Sequence, residues 1–311
     1  MRPMKPPIKV FGEALLEAAA KDPNIVAISA DSSSGSGLGP FKEKYPERHL
    51  EFGIMEQGVI GFASGLATTG KVPFVAAIAP FVTARPFEMF RNDLGYMRQN
   101  VKVVGRCAGL TYSTLGATHQ SLDDVAIIRT IPGVTVLNPG DPVTIRKATL
   151  AAAEHKGPVY IKIGSPDMPV LHPEDVRFEI GRGVEMKAGN DVAILATGTV
   201  LQRAFEAAEL LEKDGIRARL VDIHTIKPLD RAIVLAAARE TGKIVTVEEH
   251  YTAGGLGGAV AEMLAAEHPV LMRMIGVEDR FASNGPYEEL LGLYGLLGRQ
   301  IAQTVKNFLR G

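Results

Sequence analysis

One cysteine in 311 residues, Cys107, leaves no partner for an internal disulfide. That excludes a small disulfide-stapled fold and fits a reducing compartment. Cys107 ends a strand-like run and reads as a buried, inert thiol. Excess charge is missing too: 34 Lys and Arg stand against 35 Asp and Glu, for a net charge of −1. No basic field exists to attract nucleic acid, and no acidic tail calls for a basic partner. The longest apolar run, 72–84, is broken by Pro73 and Pro80 and is too short to span a bilayer. The opening Met1-Arg2-Pro3-Met4-Lys5-Pro6-Pro7 reads as a proline-rich arm, not a charged region before an apolar core, so no secretory signal is expected. The expectations are no membrane, no nucleic acid and a cytoplasmic location.

No short-period repeat and no disordered block are visible. What is present, 46% hydrophobic and 22% charged residues, reads as a soluble globular chain long enough for two domains. Short β-branched runs alternate with longer helical patterns, which predicts an α/β protein of two doubly wound domains with mainly parallel sheets. In the first half, 13–20 reads as a helix, and 25–30, 75–79, 101–105, 134–137 and 159–163 read as strands. Asp141-Pro142 opens a further helix, with Asp at the cap and Pro in the first turn. From Pro166 to Asn190 the pattern loosens into prolines and glycines. A second alternation follows, with strands at 192–196, 218–223, 243–248 and 270–275 and helices at 201–213, 231–239, 256–266 and the C-terminus. The expected division is 1–170, a linker at 171–189, and 190–311.

The run Gly53-Ile54-Met55-Glu56-Gln57-Gly58-Val59-Ile60-Gly61-Phe62-Ala63 places one carboxylate at the start of a small, apolar helix. A first-turn Glu complementing the helix dipole is commonplace. A buried carboxyl, however, must find a hydrogen-bonding partner or hold its proton. Glu56 is therefore also a candidate proton donor. The run alone does not choose between the two.

Its company does. Followed by Pro73-Phe74-Val75, Arg91-Asn92 and Gly116-Ala117-Thr118-His119-Gln120, the run resembles the pyrimidine-binding half of the transketolase family, and the order and spacing hold along essentially the whole chain. The resemblance implies a thiamine-diphosphate-binding pyrimidine domain followed by a transketolase C-terminal domain. It implies that Glu56 bonds the aminopyrimidine ring, where a neutral or proton-sharing carboxyl drives the amino-to-imino shift that lets the cofactor's own amino group deprotonate the thiazolium. It also implies that Phe81 stacks on the pyrimidine. Without it, a lone aromatic such as Phe81 reads as core. Ile78 and Ala84 stand where many members carry further aromatics. His119, which alone would read as a solvated loop histidine, is implied to bond the substrate oxygen and shuttle protons. Asp31 matches a family acid near the cofactor, and equally reads as a cap for the turn that follows it.

Two temptations fail on spacing. Glu248-Glu249-His250 matches no zinc pattern, and Gly254-Gly255-Leu256-Gly257-Gly258 matches neither dinucleotide nor Walker fingerprints. The family's Gly-Asp-Gly motif, which holds the diphosphate and its metal, is missing from the chain. The resemblance therefore implies the C-terminal subunit of a split enzyme, sharing thiamine diphosphate with an N-terminal partner subunit that carries the motif and mainly binds the Mg2+ or Ca2+. An α2β2 assembly follows by family analogy. The implied reaction is transfer of a two-carbon ketol unit from a ketose to an aldose in pentose-phosphate carbohydrate metabolism. At the substrate end, Lys9, Cys107, Leu115 and Ser165 stand where members carry Arg, His, Asp and Arg. Ser supplies neither the charge nor the fork of Arg, so the sugar is unphosphorylated or differently substituted, or Arg85, Arg106 or Lys162 takes the phosphate. The alternatives are a subunit like a deoxyxylulose-phosphate synthase or a 2-oxoacid dehydrogenase β chain, and a non-catalytic interaction subunit. The Glu-Gln and Ala-Thr-His-Gln runs favour transketolase or the synthase over the dehydrogenase.

Overall fold

The computed structural model describes residues 2–311. The first half contributes β1 (Met4–Lys5), β2 (Ile25–Ser29), β3 (His49–Glu51), β4 (Val72–Ile78), β5 (Lys102–Arg106), β6 (Thr135–Leu137), β7 (Val159–Lys162) and β8 (Met168–Pro169). The second contributes β9 (Val184–Lys187), β10 (Val192–Ala196), β11 (Ala218–Asp222), β12 (Thr225–Lys227), β13 (Lys243–Tyr251) and β14 (Leu271–Val277). A seven-stranded sheet runs β12-β6-β7-β5-β4-β2-β3 and a five-stranded sheet β14-β13-β10-β11-β9. Every pairing in both is parallel except those of β12 and β9. This is the expected pair of mainly parallel α/β sheets.

Burial on both faces explains why these strands read as continuous apolar runs. Along β4, Phe74 and Ala76 enter the cluster that holds Phe11, Leu15 and Ala148. Val75 and Ala77 point the other way, among Val59, Ile60, Ala63, Phe90 and Leu94. Val59 and Ile60 are fully buried, each stabilising the helix Glu56–Ala67 against the sheet by about 2 kcal/mol. That packing fixes where Glu56, the first residue of the helix, sits.

Several boundaries differ from the expectation. The first helix spans Pro7–Lys21, because Pro7 stands in the first turn, where its missing N–H costs nothing. A Cβ on Gly12 inside this helix would lie 2.3 Å from the Gly37 carbonyl oxygen, so glycine there permits close approach of the loop at 32–37. β4 stops at Ile78, and Ala79, expected in the strand, already begins the short helix Ala79–Val82. The segment expected as linker contains β9, which adds an antiparallel edge to the second sheet. β12 crosses back to pair with β6 in the first sheet. The second half thus lends one edge strand to the first sheet, and β8 pairs with β1 near the N-terminus.

The helix Pro142–Glu154 has a full capping box. Asp141 Oδ1 accepts from the Thr144 N–H at 2.8 Å, and the Thr144 hydroxyl accepts from the Asp141 N–H at 3.1 Å. The other carboxylate oxygen of Asp141 accepts from the backbone N–H groups of Leu171 and His172, both at 2.9 Å, and the His172 ring Nδ1 lies 3.2 Å from Oδ1. Burial works to raise this carboxyl, but the His172 ring and the backbone donors outweigh it and hold the pKa at about 2. Depression below the unfolded value means the contribution is present above about pH 4 and is lost as the pH falls toward 2. Asp141→Asn is therefore expected to cost about 2 kcal/mol at pH 7, with the difference from wild type closing between pH 4 and pH 2. Denaturant unfolding across that range checks it, and a pH-independent difference would remove the ionised cap from the account.

Candidate active site

The site lies at the carboxyl ends of β4 and β5, where open parallel sheets present ligands. β4 delivers Ile78, half-buried at its end, and the turn after it delivers Phe81, also half-buried. Arg85 follows four residues after Phe81. Its guanidinium carbon lies 4.3 Å from the Phe81 ring centroid, and its Nη1 donates to Glu56 Oε2 at 2.7 Å. Glu56 itself is only 5% exposed. Gln57 Nε2 donates to the Arg85 carbonyl at 3.3 Å, tying the two segments together. The His119 ring also meets Phe81, edge-on at a centroid distance of 5.2 Å. Tyr112 meets His119 at 5.4 Å, and Thr118 Oγ1 lies 2.9 Å from His119 Nδ1.

Glu56, Phe81 and His119, spread over 64 positions, are therefore linked in one row through Arg85. Arg85 and Tyr112 were not anticipated in that row. Arg85 carries no helical-spacing signal, because it stands in the turn beyond the helix Ala79–Val82. Tyr112 carries none either.

The remaining candidates fall into separate places. Asp31 is exposed, adopts φ +54°, and donates its N–H to Glu51 Oε1 at 2.6 Å. Burial would raise the Glu51 carboxyl, but the Asp31 N–H and the Ser33 and Ser29 hydroxyls leave it below its ordinary value. Cys107 is buried with φ +53°. Ser165 Oγ lies 2.9 Å from its sulfur and Arg106 Nη1 3.0 Å. Arg106 also donates through Nε to Ser36 Oγ at 3.0 Å, so Cys107 and Ser165 form one patch with a guanidinium beside it. Leu115 is 49% exposed in the turn before His119. Lys9 lies apart, exposed, 3.9 Å from Glu13 and lining a surface groove with Arg146 and Glu174. Lys162 is buried and paired with Asp124 at 2.7 Å. Arg91 and Asn92 line a different groove, with Tyr96 and Pro132.

The glycine run at 254–258 has its anion supplied internally. Glu248 accepts from the N–H groups of Leu256 and Gly257 at 2.7 and 2.8 Å, at the start of the helix Leu256–Glu267. Burial pushes this carboxyl up to about 7, against those two bonds. Among the described residues no three His, Cys, Asp or Glu side chains form a group that could hold a metal, and no helix is long and apolar enough to cross a membrane.

A flat heterocycle carrying a ring nitrogen needs an apolar face and an acid at its edge. Phe81 and Glu56 supply both, and the half-exposed Arg85 side chain lies across them. The donor set fits an aminopyrimidine.

Fold and row together define an α/β chain that brings an acid, an aromatic face and a histidine together at the carboxyl end of a parallel sheet. Residues 7–167 match the transketolase pyrimidine binding domain and residues 181–301 the transketolase C-terminal domain. The chain belongs to the transketolase family, whose members use thiamine diphosphate. It is 39% identical over 303 residues to one subunit of the apulose-4-phosphate transketolase of Phocaeicola vulgatus, covering 97% of each chain. It is 40% identical over 301 residues to a putative transketolase C-terminal section of Methanocaldococcus jannaschii, covering 96% of this chain and 94% of that one. A solved structure described as a split gene transketolase, inactive beta4 tetramer, matches with a TM-score of 0.92 at 40% identity over 98% of both chains. Within the family, this chain is a split-transketolase subunit.

Proposed function

We propose that this chain is the pyrimidine-facing subunit of a two-subunit transketolase, moving a two-carbon ketol unit from a ketose to an aldose. The observation that carries this reading is the row Glu56, Arg85, Phe81, His119. Bound thiamine diphosphate supplies the carbon nucleophile that takes up the ketol unit. Glu56 holds a proton at the ring nitrogen of the pyrimidine, Phe81 seats the ring, and Ile78 walls it. His119 bonds the substrate oxygen and moves protons there, held between Phe81 and Tyr112. The Cys107, Ser165 and Arg106 patch takes the sugar, and Leu115 lies exposed in the turn before His119. Asp31 acts through the loop it starts, and Lys9 contributes at most a distant charge.

The diphosphate and a divalent metal, Mg2+ or Ca2+, belong to a partner subunit carrying Gly-Asp-Gly, in an α2β2 complex in the cytoplasm. The absence of that motif here supports the division. So does the similar beta4 tetramer, described as inactive. The purified chain alone is expected to show no ketol transfer and weak thiamine diphosphate binding. Mixing it with a partner chain that carries Gly-Asp-Gly should restore both. Full turnover by the single chain would end the split-subunit reading. A donor panel of xylulose 5-phosphate, apulose 4-phosphate and unphosphorylated ketoses reads the sugar. The P. vulgatus relative is named for the second of these.

A further inference from the structure

The His119 loop is held mainly by the C-terminal half of the chain. The segment 108–122 leaves β5, turns through His119, and is tied at points along its length. Gln120 Nε2 donates to the Ser283 carbonyl at 2.9 Å. The Gly285 N–H donates to the Ser113 carbonyl at 3.1 Å, and the Tyr251 N–H to the Leu122 carbonyl at 2.8 Å. The first residues of the loop are held differently, by a side chain. The Leu110 N–H donates to Glu249 Oε1, at the end of β13. Glu249 Oε2 accepts from the Tyr287 hydroxyl at 2.7 Å and from the Thr199 hydroxyl. Lys162 Nζ reaches the Glu249 carbonyl at 3.3 Å and the Ser121 carbonyl at 3.2 Å, joining both ends of the loop to the same place.

We infer that Glu249 is a positioning residue for His119: its buried carboxylate gathers donors from three separate segments and thereby sets where the loop begins. This rests on the proposed role of His119 and deepens it. Glu249 is 3% exposed, so an acceptor here without its donors would carry a large desolvation cost. Gly109 shows that the fit is specific. It adopts φ +68°, and a Cβ there would stand 2.5 Å from Glu249 Oε1, so the backbone approaches the carboxylate as only glycine allows. Burial also pushes the carboxyl upward, countered by Thr199, Tyr287 and Leu110. No hydrogen bond from Glu249 reaches Glu56, Phe81 or Arg85. The residue therefore separates loop placement from cofactor seating.

The test uses the full chain assembled with its partner subunit. Glu249→Ala is expected to lower kcat about 100-fold, the loss typical of a reacting group displaced by about 1 Å, with thiamine diphosphate affinity unchanged. Glu249→Gln keeps an acceptor for Leu110 and an amide that both hydroxyls can turn to meet, so it should recover kcat to within about tenfold of wild type. Hydrogen exchange of 108–122 should speed up in Glu249→Ala while β5 and β7 stay protected. Tyr287→Phe, which removes one donor and almost no volume, should lower kcat about fivefold without touching cofactor affinity. If Glu249→Ala does not fold, Tyr287→Phe decides alone, by kcat and by loop exchange. Unchanged kcat and unchanged loop exchange would overturn the inference, as would equal loss of protection throughout the chain with loss of cofactor binding. Exchange is read without turnover. A complex with no ketol transfer would therefore count against the proposed reaction, while loop exchange would still decide the role of Glu249.

Discussion

Glu56→Ala is expected to lower kcat of the assembled complex by about 10³ while leaving the fold intact, because proton donation by a positioned acid is worth about 10²–10⁴ in rate. Glu56→Gln should do nearly as much damage. The amide keeps the shape and still accepts from Arg85, but it has no proton to share with a ring nitrogen. Neither variant should unfold the chain. The Arg85 partner is 42% exposed, and ion pairs with one wet partner contribute under about 1 kcal/mol. The carboxylate is also buried at a cost. The measurement is kcat beside the thermal midpoint in the same preparation. Turnover equal to wild type would return Glu56 to a simple helix-start residue and favour an interaction subunit without chemistry.

The sequence singled out the candidate residues but not the contacts that join them. The helix of Glu56 packs on the sheet as the apolar run implied, because Val59, Ile60 and Ala63 all fall on its buried face. The Asp141-Pro142 start was legible because a cap is local chemistry, decided within four residues. Phe81 and His119, 38 positions apart, were placed by motif resemblance and meet in space. No local pattern could have said so.

What stayed hidden is whatever depends on distant partners. Read from spacing alone, Arg85 was as good a phosphate grip as a neighbour of Glu56. Only the turn after β4 lays it over Phe81. The region after Pro166 looked loose because its prolines and glycines mark turns, yet β9 forms on an edge where a short antiparallel strand needs no strong pattern of its own. β12 is three residues long and crosses to the other sheet, and no periodicity survives in so short a piece. Glu248, Glu249 and His250 matched no metal spacing. Their contacts follow from β13, which carries them into the junction between the halves.

That junction carries the other large expected effect. Lys162 and Asp124 are both almost fully buried, 2.7 Å apart. Asp124 also accepts from the Tyr160 hydroxyl at 2.6 Å, and His250 Nε2 lies 3.9 Å away. Lys162→Ala leaves an ionised carboxylate in the interior with its cation gone, a change that costs about 3–5 kcal/mol. The sign of its pH dependence follows from the neighbours. Burial would raise Asp124, but Lys162 heads the influences that hold it below its ordinary value. Burial first, and Lys162 second, press His250 down to about 4. In wild type the Asp124 contribution is present above about pH 4 and lost below it, and the depressed His250 costs stability as the pH falls from about 6.5. Without Lys162 both pressures relax: Asp124 takes a proton more readily, and His250 can charge beside it. The deficit of Lys162→Ala should therefore be largest near pH 7 and shrink toward pH 4. Urea unfolding of both proteins at the two values reads it. A deficit that is constant, or that grows in acid, would mean that Lys162 serves by filling space, with its charge making no difference to the junction.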